Sequence, residues 1–215
     1  MSSLSAPSSS LNAWLMKPWA KPLLWLLCAV PLVLLCTAVA TDRLGANPVD
    51  TFIKEMGEWS LRFLWLTLAI TPLRDVAGLP GLLRHRRALG VTAFVYAFIH
   101  FLAYAWLDQG WRLDDIVADV IKRNFILVGF VALLLMLPLA LTSFNAAIRA
   151  LGGRRWQVLH KLVYAVALLA LLHFYMKKAA KNDLAEVGVY AAILAVLLGW
   201  RVMRKGGVLA MLRVR

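Results

Sequence analysis

"RRWQVLHKLVYAVALLALLHFYM", residues 154–176, is long enough to cross a bilayer, because about 20 apolar residues span the hydrocarbon core. It nevertheless carries two imidazoles, His160 and His173. An ionisable side chain inside hydrocarbon costs free energy, so each one is a functional suspect. Whether this stretch is a span depends on the rest of the chain.

The chain of 215 residues is 62% hydrophobic and 16% charged, with a mean hydropathy of +0.74. Soluble domains average about half apolar and about a quarter charged, so there is too little polar surface here to cover a globule in water. The composition predicts one compact polytopic membrane domain. The net charge of +13 raises the question of nucleic acid. The basic residues flank apolar runs instead of forming a stripe with interleaved aromatics, so they read as topology signals and no nucleic-acid partner is expected. Cys28 and Cys36 share one apolar run, about 12 Å apart on a helix, too far for a disulfide. No Cys-x-x-Cys-His occurs, which excludes covalent c-type haem.

The Ser-rich residues 1–20 read as a disordered cytoplasmic tail. Six apolar segments follow at 22–40, 59–73, 89–107, 125–142, 156–176 and 185–203, and 206–215 form a basic cytoplasmic tail. The fold expected for 21–205 is an all-α bundle of six transmembrane helices embedded in lipid. Lys17, Lys21 and the "AVA" at 38–40 imitate a signal peptide, but the apolar run exceeds the usual signal length and five spans follow. It reads as an uncleaved helix. The segments and loops on one side hold fourteen Lys and Arg against eight on the other, and ten of the eleven acidic residues fall on the poorer side. Both termini are therefore expected in the cytoplasm, and the opposite loops face the periplasm if the cell is bacterial. In the outer loop at 108–124, Ile116, Val117, Val120 and Ile121 suggest a short amphipathic helix at the surface.

This topology gives each histidine a depth. His100 lies ~16 Å along the third span, in the outer half. On the fifth span His173 is ~25 Å from the inner end and His160 ~6 Å from it. His100 and His173 thus share a depth, as the axial ligands of a b-type haem held between helices would. Hydrogen bonding across helices is the plainer role for one intramembrane histidine, but three at two depths favour haem. Zinc fits less well, with no carboxylate or thiolate at that depth. On an ideal helix His160 and His173 point about 140° apart, so either the fifth helix is irregular or two cofactors sit on different flanks.

The motifs "LGANPVDTF" (44–52), "LAITPLRD" (68–75), "RHRRALG" (84–90), the His100 segment and "RRWQVLHKLVY" (154–164) together resemble one family. It is MsrQ, the haem-binding membrane subunits of periplasmic methionine sulfoxide reductase systems, within the ferric-reductase-like transmembrane superfamily. The resemblance covers residues from about 20 to 205. It implies haem b, one or two per chain, with His100, His173 and His160 as haem-iron ligands. It also implies electron relay from the quinone pool or a cytoplasmic flavin reductase to a periplasmic molybdopterin-containing partner, MsrP, which reduces oxidised methionine. Members of the superfamily with two full haems carry a further histidine near the start of the third span. Arg86 stands there, as an iron ligand, a propionate partner or a positive-inside anchor, and His85 is one residue out of register. FMN is associated with the family by resemblance only, since no Gly-x-Gly-x-x-Gly occurs and only Arg154 and Arg155 suggest a phosphate contact. A stand-alone ferric reductase, or a non-redox scaffold or transporter, are the other readings. A periplasmic reporter fused after Leu184 is expected to be active, and one fused after Arg215 silent. The reverse pattern would overturn the orientation.

Overall fold

The computed structural model describes residues 6–179 and 182–205, and these contain helices and turns with no strand. Helix α1 spans Ala6–Met16, α2 Ala20–Ala40 and α3 Pro48–Ala77. A 3-10 turn at Pro80–His85 leads into α4, Arg86–Ala103, whose end winds into a π turn at Tyr104–Asp108. Helix α5 is Leu113–Lys122, α6 Asn124–Leu141 and α7 Asn145–Leu151. The last three are α8 at Gly153–Leu159, α9 at Leu162–Ala179 and α10 at Ala185–Lys205.

Five of the helical stretches are long and apolar enough to cross a membrane: Ala20–Ala40, Pro80–Asp108, Asn124–Leu141, Gly153–Ala179 and Ala185–Arg204. The second segment, expected at 59–73, behaves differently. It is the 30-residue helix α3, long enough to span but too charged to qualify on composition. Its limits follow from local chemistry. The Asn47 side chain accepts the Asp50 amide, Pro48 opens the first turn, and Gly78 stops the helix at φ 66° with Arg74 in the last turn.

Helix α3 sits at the centre, where Met56 and Leu68 are wholly buried with Leu64 and Trp65 close behind. It packs along α4, and also touches α2, α9 and α10. Its polar groups are satisfied within the bundle. Arg62 donates to Glu58 at 2.7 Å and to the Tyr190 hydroxyl of α10 at 3.1 Å, while Trp65 Nε1 donates to the Tyr190 carbonyl at 3.0 Å. Unpaired polar groups at such positions would each cost several kcal/mol in hydrocarbon. The second large pairing is α6 on α9, which sets the other wall of the bundle.

The fifth segment, expected as one helix over 156–176, breaks at His160–Lys161 into α8 and α9. Short-range bonds from Lys161 to Val158 and from Tyr164 to Lys161 replace the regular ladder there. Of the two explanations for the azimuthal mismatch of His160 and His173, the irregular helix is therefore present. The N-terminal stretch read as a disordered tail instead contains α1. Its lack of an apolar pattern hid a polar dock: Asn12 accepts the Gly81 amide at 2.8 Å, and His85 Nε2 lies 3.1 Å from the Leu15 carbonyl. The basic tail at 206–215 lies outside the described residues. The amphipathic helix expected in the 108–124 loop is α5, with Ile116 buried and Val117 and Ile121 exposed.

Candidate cofactor cavity with paired histidines

Helices α3, α4, α6 and α9 enclose a cavity of about 740 Å³. His100 of α4 and His173 of α9 both line it, their ring centroids 6.2 Å apart and their planes at 76°. The shared depth expected from the sequence is thus a direct juxtaposition.

Both rings are held by the same local device. His100 Nδ1 lies 2.7 Å from the Ile53 carbonyl of α3, and His173 Nδ1 lies 2.6 Å from the Phe125 carbonyl of α6. A carbonyl can only accept, so in each ring Nδ1–H is the donor and Nε2 keeps its lone pair. Each carbonyl is followed four residues later by a glycine, Gly57 after Ile53 and Gly129 after Phe125. On a helix that later residue sits directly above, so a Cβ there would shield the carbonyl. A Cβ on Gly57 would come within 3.1 Å of the His100 ring, and one on Gly129 within 2.7 Å of the His173 ring. The two glycines are notches into which the imidazoles fit.

The Nε2 atoms are the ring nitrogens left without a hydrogen-bond partner, on two rings that line the same cavity. Among the described residues no group of three or more His, Cys, Asp or Glu side chains is placed to hold an ion. Two histidines alone would suit a metal that arrives with its remaining ligands in place, as a haem iron does. Ring centroids 6.2 Å apart would leave room for one such metal between the two rings. Apolar neighbours such as Leu61, Leu64, Phe130 and Met136 suit a macrocycle, and Lys54, Arg123 and Lys177 at the cavity wall suit its carboxylates. The residues present fit such a group.

At one end of the cavity the π turn places Tyr104 so that its hydroxyl donates to Asp119 of α5 at 2.7 Å. Desolvation pushes the Asp119 carboxyl up, but hydrogen bonds from Arg123 and Tyr104 outweigh it and hold the group below the usual carboxylate range. The Tyr104–Asp119 hydrogen bond ties α5 to the π turn beside the cavity.

His160 and Arg86 are not brought into this cavity. His160 lies flat on Trp156, with ring centroids 3.9 Å apart and Nδ1 3.0 Å from the Trp156 carbonyl. Its Nε2 faces Ser143 Oγ at 3.5 Å. Arg86 is half-buried and within electrostatic range of His160, Tyr164 and Arg201. His85 is buried and points to α1, away from both groups. Sequence reasoning missed Ile53, Phe125 and the two glycines. A backbone carbonyl leaves no mark in a sequence, but an isolated glycine in an apolar helix costs about 1 kcal/mol relative to alanine and is a signal of close approach.

The fold and the site together define a multi-pass helical membrane protein built around a paired-histidine cavity. Residues 56–171 match a family model described as the ferric reductase like transmembrane component. A protein of Polaromonas naphthalenivorans is 53% identical over 88% of this chain and 86% of its own length, and is named "Protein-methionine-sulfoxide reductase heme-binding subunit MsrQ". Proteins with that name from Azospira oryzae and Brucella ovis are each 51% identical, over 86% and 84% of this chain and 79% and 82% of their own. No solved structure matches. The chain belongs to this ferric-reductase-like transmembrane family and, within it, to MsrQ.

Gly129→Ala drives a methyl group into the His173 ring and is expected to destabilise the protein by about 1–3 kcal/mol. Gly188, whose Cβ would meet nothing within 4 Å, is the control. Thermal unfolding in detergent reads both, and equal midpoints for the two alanine variants would contradict the notch.

Proposed function

We propose that the protein is a b-type cytochrome subunit that relays electrons across the bacterial inner membrane to a periplasmic molybdopterin-containing reductase of oxidised methionine, MsrP. The observation that carries this reading is the pair of rings, His100 and His173, that line one cavity with centroids 6.2 Å apart, each with Nδ1 against a backbone carbonyl and Nε2 left to accept. The names of the relatives, heme-binding subunits of a protein-methionine-sulfoxide reductase, support it. A haem held there supplies one-electron transfer, and the chain supplies ligation, orientation and exclusion of water.

In this reading α3 is the sixth span, its charges satisfied against α10, and both termini lie in the cytoplasm. The paired histidines then stand in the outer half, near the partner that accepts electrons. His160 and Arg86 lie toward the inner end, the side on which the quinone pool or a cytoplasmic flavin reductase delivers electrons. His160 Nε2 meets only the Ser143 hydroxyl at 3.5 Å, a long contact that a second iron or an electron carrier would replace. FMN enters by family association, and the exposed Arg154 and Arg155 are the residues at that end suited to its phosphate.

Absorption spectra of purified variants test the assignment. His100→Ala and His173→Ala are each expected to abolish the same low-spin haem signal. His160→Ala is expected to leave that signal in place while removing a second haem or slowing reduction from the cytoplasmic side. Low-spin haem retained in the His100→Ala, His173→Ala double variant would refute the pairing.

A further inference from the structure

Helix α5 carries two apolar rows, and the protein covers only one of them. Ile116 is buried and Val120 half-buried on the side turned to the protein. Leu113, Val117 and Ile121 recur every four residues, a spacing that stacks side chains along one flank of a helix. They are 71%, 57% and 69% exposed. At about 100° per residue, this bare row stands roughly 80° around the helix from the covered one. Asp115, Ala118, Asp119 and Lys122 take the far side. Asp114 borders the bare row in the first turn, where the helix dipole favours a carboxylate.

The chain holds this helix at the ends of two spans. Four residues separate α5 from the span Pro80–Asp108, and only Arg123 separates it from the span Asn124–Leu141. Gly110 and Trp111 both take left-handed backbone, at φ 56° and 60°, and the Trp111 amide donates to the Ala105 carbonyl at 2.8 Å. The chain therefore turns back against the end of the span instead of rising away from it. Trp106 and Trp111 are both exposed at this turn, the aromatic pattern of a membrane boundary. Leu107 before the turn, and Leu127 and Val131 at the start of α6, are exposed as well. Bare apolar side chains thus run from each flanking span into α5. The charges of the segment are matched internally, with Arg112 paired to Asp115 at 2.7 Å and Arg123 to Asp119. They offer no net field to attract a charged protein face or an anionic headgroup.

We propose that α5 is a membrane-surface helix whose Leu113, Val117 and Ile121 row is buried among the acyl chains at the edge of the bilayer, with ordinary zwitterionic phospholipid as the partner. Amphipathic helices of this kind sink their apolar face about 5–10 Å into the boundary between headgroups and chains. On the far side of α5, Asp119 accepts the Tyr104 hydroxyl at 2.7 Å, and Tyr104 lines the paired-histidine cavity. The lipid contact therefore bears on the rim of that cavity.

The test places the full chain in phosphatidylcholine nanodiscs with a nitroxide label at Val117→Cys. The background is Cys36→Ser, which removes the exposed native thiol and keeps the buried Cys28. Lys122→Cys supplies the matching label on the polar side. Power-saturation electron paramagnetic resonance compares collisions with oxygen, which concentrates in lipid, and with a water-soluble nickel chelate. Oxygen is expected to dominate at Val117 and the chelate at Lys122, so that their ratio reverses between the two sites. Both positions are exposed, and if the Val117 variant fails to fold, Ile121→Cys reads the same row. Chelate access at the row equal to that at Lys122 overturns the proposal. Protection of the row that appears only on adding a soluble partner protein also overturns it and assigns the row to protein docking.

Discussion

The hydrogen bond from each cavity imidazole to a carbonyl on a neighbouring helix is the constraint on which the site depends. It fixes the tautomer, restrains the ring, and leaves the remaining nitrogen with its lone pair available in a ring that lines the cavity. Such a bond needs an accessible helical carbonyl, which a helix side chain normally covers. Gly57 and Gly129 uncover it at the two places where it is needed. The same solution thus occurs once on α3 and once on α6, and couples α3 to α4 and α6 to α9, the two largest helix pairings in the bundle.

The rest of the architecture follows from placing those pairs side by side in an apolar solvent. Helix α3 carries charges that hydrocarbon would penalise, and it occupies the centre, where Tyr190, Glu58 and Trp59 surround Arg62. The more apolar helices lie outside it, with large side chains such as Leu26, Leu34, Val196 and Val202 exposed. That distribution inverts the rule for soluble proteins and suits a surface covered by lipid tails. The central position of α3 also brings Ile53 and Gly57 to the His100 ring.

Much of this was legible in the sequence because hydropathy and depth are one-dimensional quantities. The long apolar runs, the common depth of His100 and His173, the separate place of His160 and the amphipathic α5 all follow from counting residues. The partners of the histidines do not, because Ile53 and Phe125 act through backbone atoms forty-seven and forty-eight positions from the rings they hold. The break at His160 was visible only as an azimuth that did not fit a straight helix. The reach of α3 to Pro48 was understated because its charged first turns resemble a loop in composition, although Asn47 and Pro48 carry the start signal. Helix α1 was missed because what holds it is a set of polar contacts to the Pro80–His85 turn and not an apolar stripe.

The central claim is that one iron lies between His100 and His173 with the two ring orientations set by the carbonyl bonds. Electron paramagnetic resonance of the oxidised protein, purified with its haem, tests it most directly. Imidazole planes 76° apart predict the strongly anisotropic low-spin ferric signal of near-perpendicular axial ligands. The rhombic signal of near-parallel imidazoles, or the high-spin signal of an iron with a single axial histidine, would contradict it.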